Sequence, residues 1–198
     1  MRCGYVKSTV LVNEFGSPSA LNPDLDTDIV GSSGIFTTQQ YTDSDFKMTA
    51  AVMKTVINGY AGAGTITLSG FDYHDGTRAT GETRNFHAGQ CIGACLEYAK
   101  RMGKPLMIYV FSDGSLNSTN MIDTSAAGRG KFGWQGDNQA TAATFFLVYN
   151  PAGRPAVNPA AMAPNQIGYF TADGSVSSTS SPAANAINLL VNTVILNY

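Results

Sequence analysis

The chain has 198 residues, of which 43% are hydrophobic and 13% are charged, and its formal net charge is −2. This length and apolar share are typical of a globular domain with its own core, whereas nucleic acid is not an expected partner because no basic cluster exceeds Lys100–Arg101. No apolar run approaches the roughly 20 residues that span a bilayer, and the first residues lack a signal-peptide core, so we expect no membrane partner and a cytoplasmic location. That location is left open if the chain is a fragment of a longer protein.

The N-terminal segment, residues 1–42, is predicted to be irregular because Asn-Pro and Gly-Ser-Ser-Gly steps interrupt it. A first helix follows, which Asp43 or Ser44 caps and Asn58-Gly59 ends. Its apolar residues recur at helical spacing and predict one buried stripe: Phe46, Ala50, Met53 and Ile57.

The middle of the chain has the pattern of a strand–helix–strand unit. Thr65–Gly70 is short and rich in β-branched residues, as strands are, and residues 71–84 form a polar loop after it. Residues 87–102 form a second helix, and Leu106–Phe111 is apolar throughout, which is typical of a central strand covered on both faces. Two strands joined by a helix in this way are expected to be parallel.

The remaining chain supplies a third core strand over residues 143–149, a surface segment over 151–182 and a C-terminal helix from about Pro182. That helix is expected to bury four apolar side chains: Ile187, Leu190, Val191 and Val194.

These elements predict a single α/β domain over residues 1–198, built on a mostly parallel sheet with flanking helices. Within it lie the irregular segment 1–42, a core βαβ region over 43–150, and a surface loop with the C-terminal helix over 151–198. The glycine-rich stretch before Thr65 precedes a strand instead of following one, so no nucleotide cofactor is expected.

Candidate site residues follow the two strands of the unit. Asp72 and His74 come after the first strand and Asp113 after the second, and ligands of open α/β sheets bind at the carboxyl ends of strands. Carboxylate and imidazole groups suit Zn²⁺, Mn²⁺ or Fe, and a site without the imidazole favours Mg²⁺ or Ca²⁺. The alternative is that the acidic residues cap turns and His74 donates to a loop carbonyl. His87 is expected to be a solvated residue in the first turn of its helix.

A long loop over residues 112–140 is a second candidate surface, because a structureless stretch of this length is usually functional or disordered. Arg129 and Lys131 are candidates to bind an anionic group such as phosphate or sulfate, and Asp137 and Asn138 are candidates beside them. The alternative is a surface loop that the single tryptophan packs in place.

Three cysteines cannot complete a disulfide framework. Cys91 and Cys95 share one face of the second helix, and neither a second thiol pair nor a histidine in ligand spacing accompanies them. We therefore predict two buried, unreactive thiols instead of a zinc site.

Four motifs at the ends of these elements carry a family resemblance: Gly70-Phe71-Asp72-Tyr73-His74, Tyr98–Gly103, Ser112-Asp113-Gly114 and Asp137-Asn138. With the helix before Gly59, they make residues 46–149 resemble the C-terminal part of a bacterial family of sulfatase-like proteins in the alkaline phosphatase superfamily. Some members of that family are labelled general secretion pathway proteins. The resemblance implies an alkaline-phosphatase-like fold that lacks its N-terminal part, with Asp72 and His74 on one metal ion and Asp113 on a second.

The sequence departs from that family at two ligand positions. Gly114 stands where the family has a histidine, and Asn138 stands near where a further histidine ligand is expected. The family's first metal-binding aspartate and its serine or threonine nucleophile normally lie upstream of the matching region, so no catalytic residue is assigned.

The resemblance implies a degenerate or partial metal-dependent hydrolase of phosphate or sulfate esters. The alternative is a non-catalytic binding or scaffold domain that holds one divalent cation. A third interpretation is a chain that pairs with an upstream half of a longer protein or with a second copy, through the apolar run Ile187–Tyr198.

Overall fold

A computed structural model describes residues 9, 10, 12, 13, 16–73, 78–112, 115–138, 144–156 and 168–197. The helices that it defines are α1 (Ser44–Ile57), α2 (Arg78–Met102) and α3 (Ile187–Asn197). The strands are β1 (Leu106–Phe111), β2 (Ser115–Asp123), β3 (Lys131–Asn138) and β4 (Thr144–Tyr149). Short 3-10 helices precede α1 at Pro18–Leu21, Pro23–Leu25 and Gln40–Thr42.

The chain forms two compact units, each assembled from segments that are distant in sequence. Unit 1 contains residues 1–68, 87–106 and 148–154, and unit 2 contains residues 69–86, 107–147 and 155–198. The assignment of residues 1–198 to a single domain stays a prediction.

The prediction of a mostly parallel, alkaline-phosphatase-like sheet is wrong. Among the described residues, the strands form two-stranded sheets in which β1 pairs with β4 and β2 pairs antiparallel with β3. The expected first parallel strand, Thr65–Gly70, has irregular backbone. Its β-branched residues favour an extended backbone, but a strand also needs a neighbouring strand to satisfy its backbone hydrogen bonds, and the sequence does not specify that neighbour.

The region after α2 differs from its prediction in two further ways. β1 and β4 lie where strands were expected, but β1 is half-buried and its Phe111 is 52% exposed, so β1 is not a covered central strand. Most of the expected loop 112–140 is instead the β2–β3 hairpin. Its turn is possible because Arg129 and Gly130 both adopt positive φ, at 52° and 74°.

The predicted start, end and buried stripe of helix α1 are confirmed. Asp43 is its N-cap, and the Oδ1 atom accepts hydrogen bonds from the backbone N–H groups of Asp45 and Phe46 at 2.7 and 3.4 Å. The helix ends at Ile57 with Asn58 as its C-cap, and Gly59 takes the left-handed conformation with φ 79°. The predicted stripe is buried at all four positions: Phe46, Ala50, Met53 and Ile57.

A buried ion pair joins three segments of unit 1. Lys54 Nζ on α1 lies 2.6 Å from Asp26 Oδ2, which also accepts the hydroxyl hydrogen bond of Tyr98 from α2 at 2.8 Å. Asp28 donates its backbone N–H to Asp26 Oδ1, and the Asn58 amide donates to the Tyr98 hydroxyl. Burial acts to raise the pKa of the Asp26 carboxyl, but the hydrogen bonds from Lys54, Tyr98 and Asp28 together lower it below its ordinary value.

The two helical cysteines are buried on α2, as predicted. Burial, and to a smaller extent the neighbouring Cys91, raises the pKa of the Cys95 thiol to about 12. Such a thiol is almost entirely protonated at neutral pH and is therefore a poor nucleophile and a poor metal ligand.

Helix α2 starts at Arg78, nine residues before the predicted start, and this first part belongs to unit 2. Arg78 is buried there, and its Nη1 donates to the backbone carbonyl of Phe132 in the β2–β3 hairpin at 2.8 Å. Gly81 faces the ring of Tyr73, where a Cβ would lie 2.5 Å from the ring atoms. These tertiary contacts extend a helix through a glycine that lowers local helix propensity.

The C-terminal helix α3 is shorter than expected, beginning at Ile187 instead of near Pro182. Leu190 is buried against Ala183 with Ile187 beside it, whereas Val191 and Val194 are only half-buried. Within the described part of the chain, no helix combines the length and the apolar character that crossing a bilayer requires.

Candidate metal centre

Three side chains of unit 1 converge at the start of α1. Asp43, Asp45 and His87 each place one potential ligand atom within 4.8 Å of the others. His87 Nε2 lies 3.2 Å from Asp45 Oδ2 and 3.7 Å from Asp43 Oδ1. Two carboxylates and one imidazole are a donor set that divalent transition metals accept.

The local structure fixes each of these side chains. Asp43 is held by its role as the N-cap of α1, and Asp45 lies in the first turn of the same helix. His87 projects from α2, and its ring stacks on Phe46 at a centroid distance of 4.5 Å. Phe46 in turn stacks on Phe36 at 4.9 Å, so the imidazole rests on a buried aromatic pair.

The environment of His87 Nε2 favours a bound cation. This atom is buried and has no hydrogen-bond partner among the described residues, although two carboxylates lie within ion-pair distance of it. The short distances are therefore not matched by hydrogen-bond geometry. A buried polar nitrogen without a hydrogen-bond partner is costly, and a metal ion between it and the two carboxylates gives it one.

The distances fit coordination of one ion. Ligand atoms about 2.1 Å from a tetrahedral ion are about 3.4 Å from each other. The Nε2–Oδ2 and Nε2–Oδ1 distances of 3.2 and 3.7 Å bracket this value. The three ligand atoms lie within 4.8 Å of one another, and two of the three separations are close to those around a single ion.

Access and helix electrostatics act on this site in opposite ways. Asp43 has a side chain that is 43% exposed, so an ion can reach the site from solvent, whereas the His87 side chain is 14% exposed. The N-terminus of α1 carries a partial positive charge that opposes a cation by roughly 0.3–1 kcal/mol at an exposed position. Two full carboxylate charges outweigh this partial charge.

The predicted site Asp72, His74 and Asp113 is placed only in part. Asp72 is exposed in the irregular segment after Gly70 and does not belong to the Asp43–Asp45–His87 cluster. His74 and Asp113 lie outside the described residues. The three-residue site therefore stays a prediction.

The predicted anion-binding residues lie on the β2–β3 hairpin. Arg129 is exposed in the turn, and Lys131 Nζ lies 3.1 Å from the Glu82 carboxylate. Asp137 and Asn138 are in β3, where their backbones pair with Leu116 and Ser115. Their role in binding an anion stays a prediction.

Sequence reasoning recognised Asp43 only as a helix cap and did not single out Asp45. It placed His87 on the first turn of a helix as a solvated residue, which is wrong, because α2 begins nine residues earlier and the ring packs on Phe46. The local signal was the pair of aspartates at a helix start. No spacing rule joins them to a histidine 42 residues further on.

Comparisons with family profiles, with curated proteins and with solved structures found no match to this chain. The resemblance of residues 46–149 to sulfatase-like proteins is not tested by these comparisons and stays a prediction.

Proposed function

We propose that this chain is a binding domain that holds one divalent cation at Asp43, Asp45 and His87. The observation that carries the proposal is the buried His87 Nε2, which lies 3.2 and 3.7 Å from two carboxylate oxygens and has no hydrogen-bond partner among the described residues. A cation bound there gives this nitrogen a partner.

The donor set favours Zn²⁺ or Mn²⁺ over Ca²⁺ and Mg²⁺. Ca²⁺ takes six to eight oxygen ligands, and Mg²⁺ prefers an octahedron of oxygens, whereas imidazole suits the transition metals. Three protein ligands leave at least one coordination position for water. By the general affinity order for such sites, Zn²⁺ binds more tightly than Mn²⁺.

The test is calorimetric titration of chelator-treated protein with Mn²⁺, Zn²⁺ and Ca²⁺. Mn²⁺ has little affinity for thiols and so reports on the Asp and His ligands without interference from the cysteines. We expect one ion per chain, with Zn²⁺ tightest and Ca²⁺ weakest. Binding of Ca²⁺ as tightly as Mn²⁺ would contradict the assigned ligands.

A matched pair of variants on α2 locates the site. His87→Phe keeps an aromatic ring on Phe46 and removes the ligand nitrogen, so we expect a loss of affinity beyond the roughly 10–100-fold that an outer-shell change causes. Glu97→Gln removes an exposed acid from the same helix and should leave binding unchanged. Equal affinities of His87→Phe and the parent would rule out this site. Loss of binding in Asp72→Ala instead would assign the ion to the site predicted from sequence.

The ester hydrolase implied by the family resemblance stays a separate prediction, since that resemblance places its metal ligands at Asp72, His74 and Asp113. Its direct test is release of phosphate or sulfate from a chromogenic ester by metal-loaded protein. Activity that disappears in Asp72→Ala but survives in His87→Phe would support it at the predicted site.

Self-association is the second candidate function. Helix α3 leaves several large apolar side chains in solvent, with Leu196 83% exposed. Sedimentation over about a hundredfold range of concentration tests pairing with a second copy. A mass that rises with concentration in the parent but not in Leu196→Ser supports it, and a monomer at every concentration excludes it.

A further inference from the structure

The ligands of the proposed site come from two helices. Asp43 and Asp45 are at the start of α1, and His87 is on α2, 42 residues after Asp45. We infer that a bound divalent cation clamps the start of α1 to α2, so that the packing of this part of unit 1 is regulated by metal. This inference rests on the proposed metal site and assigns a role to the ion.

The contacts between the two ligand-bearing segments show why a cation matters there. The ring of His87 stacks on Phe46, but the same residue places an unsatisfied nitrogen beside two carboxylates. The apolar contact therefore favours docking of the two segments, while the unsatisfied nitrogen opposes docking until a metal ion binds it. A metal ion removes the cost of the unsatisfied nitrogen and leaves the stacking of His87 on Phe46 intact.

The coupling between metal binding and helix docking can be calculated, because an ion that needs both helices in place is released when they separate. Binding of a ligand to the closed form alone increases its population relative to the open form by the factor 1 + [M]/Kd. At a free metal concentration about one hundred times Kd, openings that separate α1 from α2 become about one hundredfold rarer. Openings elsewhere in the chain that leave the site intact are unaffected.

Hydrogen–deuterium exchange of the full chain, with and without saturating Mn²⁺, measures this factor. We expect slower exchange by up to about one hundredfold for amides of α1 and of residues 87–102, at one hundred times Kd. Peptides from the β2–β3 hairpin in unit 2 serve as the internal reference and should not change. Equal slowing in both regions would indicate general stabilisation and overturn the clamp.

Two variants separate the ligand role from the structural role of each residue. His87→Phe keeps the ring stack, and its amides in α1 and residues 87–102 should exchange at the same rate with and without Mn²⁺. Asp43→Ser keeps an N-cap oxygen for α1 while removing a carboxylate, so its metal-free exchange should match the parent and its response to Mn²⁺ should be reduced. A full response to Mn²⁺ in either variant overturns the inference.

Calorimetry on the same samples distinguishes the two possible failures. Stoichiometric Mn²⁺ binding without slower exchange in α1 and residues 87–102 overturns the clamp and leaves the proposed cation site standing. An absence of binding overturns both.

Discussion

Replacing Lys54 by Met tests how much the buried ion pair contributes to the stability of unit 1. The change removes the ammonium group and leaves the Asp26 carboxylate without its counter-charge. Both side chains are largely buried, at 11% and 13% exposure, so solvent screens the lost attraction only weakly. Removal of one partner of a buried pair costs roughly 3–5 kcal/mol. Because Tyr98 and Asp28 still donate to Asp26, we expect the lower end of that range, about 3 kcal/mol.

The double variant Lys54→Met/Asp26→Asn isolates the charge from the hydrogen bonds. The amide group that replaces the Asp26 carboxylate carries no buried charge. Its one carbonyl oxygen can accept from the Asp28 N–H, and its NH₂ group can donate to the Tyr98 hydroxyl oxygen. We expect the double variant to be more stable than the sum of the single changes predicts, by about 1–3 kcal/mol of coupling. Urea denaturation followed by far-ultraviolet circular dichroism measures each free energy, with unchanged m-values as the control. Additive single changes would refute the reasoning.

The same pair sets a pH dependence whose sign follows from the lowered pKa of Asp26. A carboxyl group whose pKa is lower in the folded state stabilises the fold above its unfolded-state value, here 3.8, and that contribution is lost as the pH falls through the folded-state pKa. The parent should therefore lose stability on acidification below this value. Lys54→Met should lose less, because Lys54 supplies the largest of the pKa-lowering interactions. Parallel acid-denaturation profiles would contradict the assignment.

Three further predictions concern α2. Gly81→Ala brings a methyl group to about 2.5 Å from the Tyr73 ring and should lower the free energy of unfolding by about 1–3 kcal/mol. Gly89→Ala meets no atom within 4 Å and should raise it by up to about 1 kcal/mol. Urea denaturation measures both changes. Equal urea midpoints for the two variants would contradict the close approach of Gly81 to the Tyr73 ring. The Cys95 thiol, with its pKa raised to about 12, should react with a thiol reagent far more slowly in native than in denatured protein at about pH 8. Arg78→Leu removes the donor to the Phe132 carbonyl and should lower the free energy of unfolding by about 2 kcal/mol. A thermal midpoint equal to that of the parent would show that this hydrogen bond does not stabilise the fold.

The helices were predictable from sequence where their signals are local. Asp43, the apolar stripe from Phe46 to Ile57, and Gly59 specify the start, buried face and end of α1 within a short stretch of chain. The spacing of Cys91 and Cys95 likewise predicted that both thiols share a buried helix face. In these cases neighbouring residues satisfy the backbone hydrogen bonds, so distant parts of the chain are not needed to specify the element.

The strands were predictable only as extended segments. The apolar composition of Leu106–Phe111 indicated β1, but its pairing with β4 instead of Thr65–Gly70 depends on residues about 35–40 positions away along the chain. The expectation of one mostly parallel sheet failed at this step. The β2–β3 hairpin was missed because polar residues alternate irregularly through it, and its register shifts twice.

The candidate metal centre is the clearest division between the two kinds of information. The sequence by itself determined that two aspartates stand at the start of α1 and that His87 lies on a helix. Only the tertiary structure decided that the stack of His87 on Phe46 brings its Nε2 to 3.2 Å from Asp45. The physical reason is that caps and apolar stripes act through backbone neighbours, whereas a metal site is formed by side chains whose proximity depends on how distant segments pack.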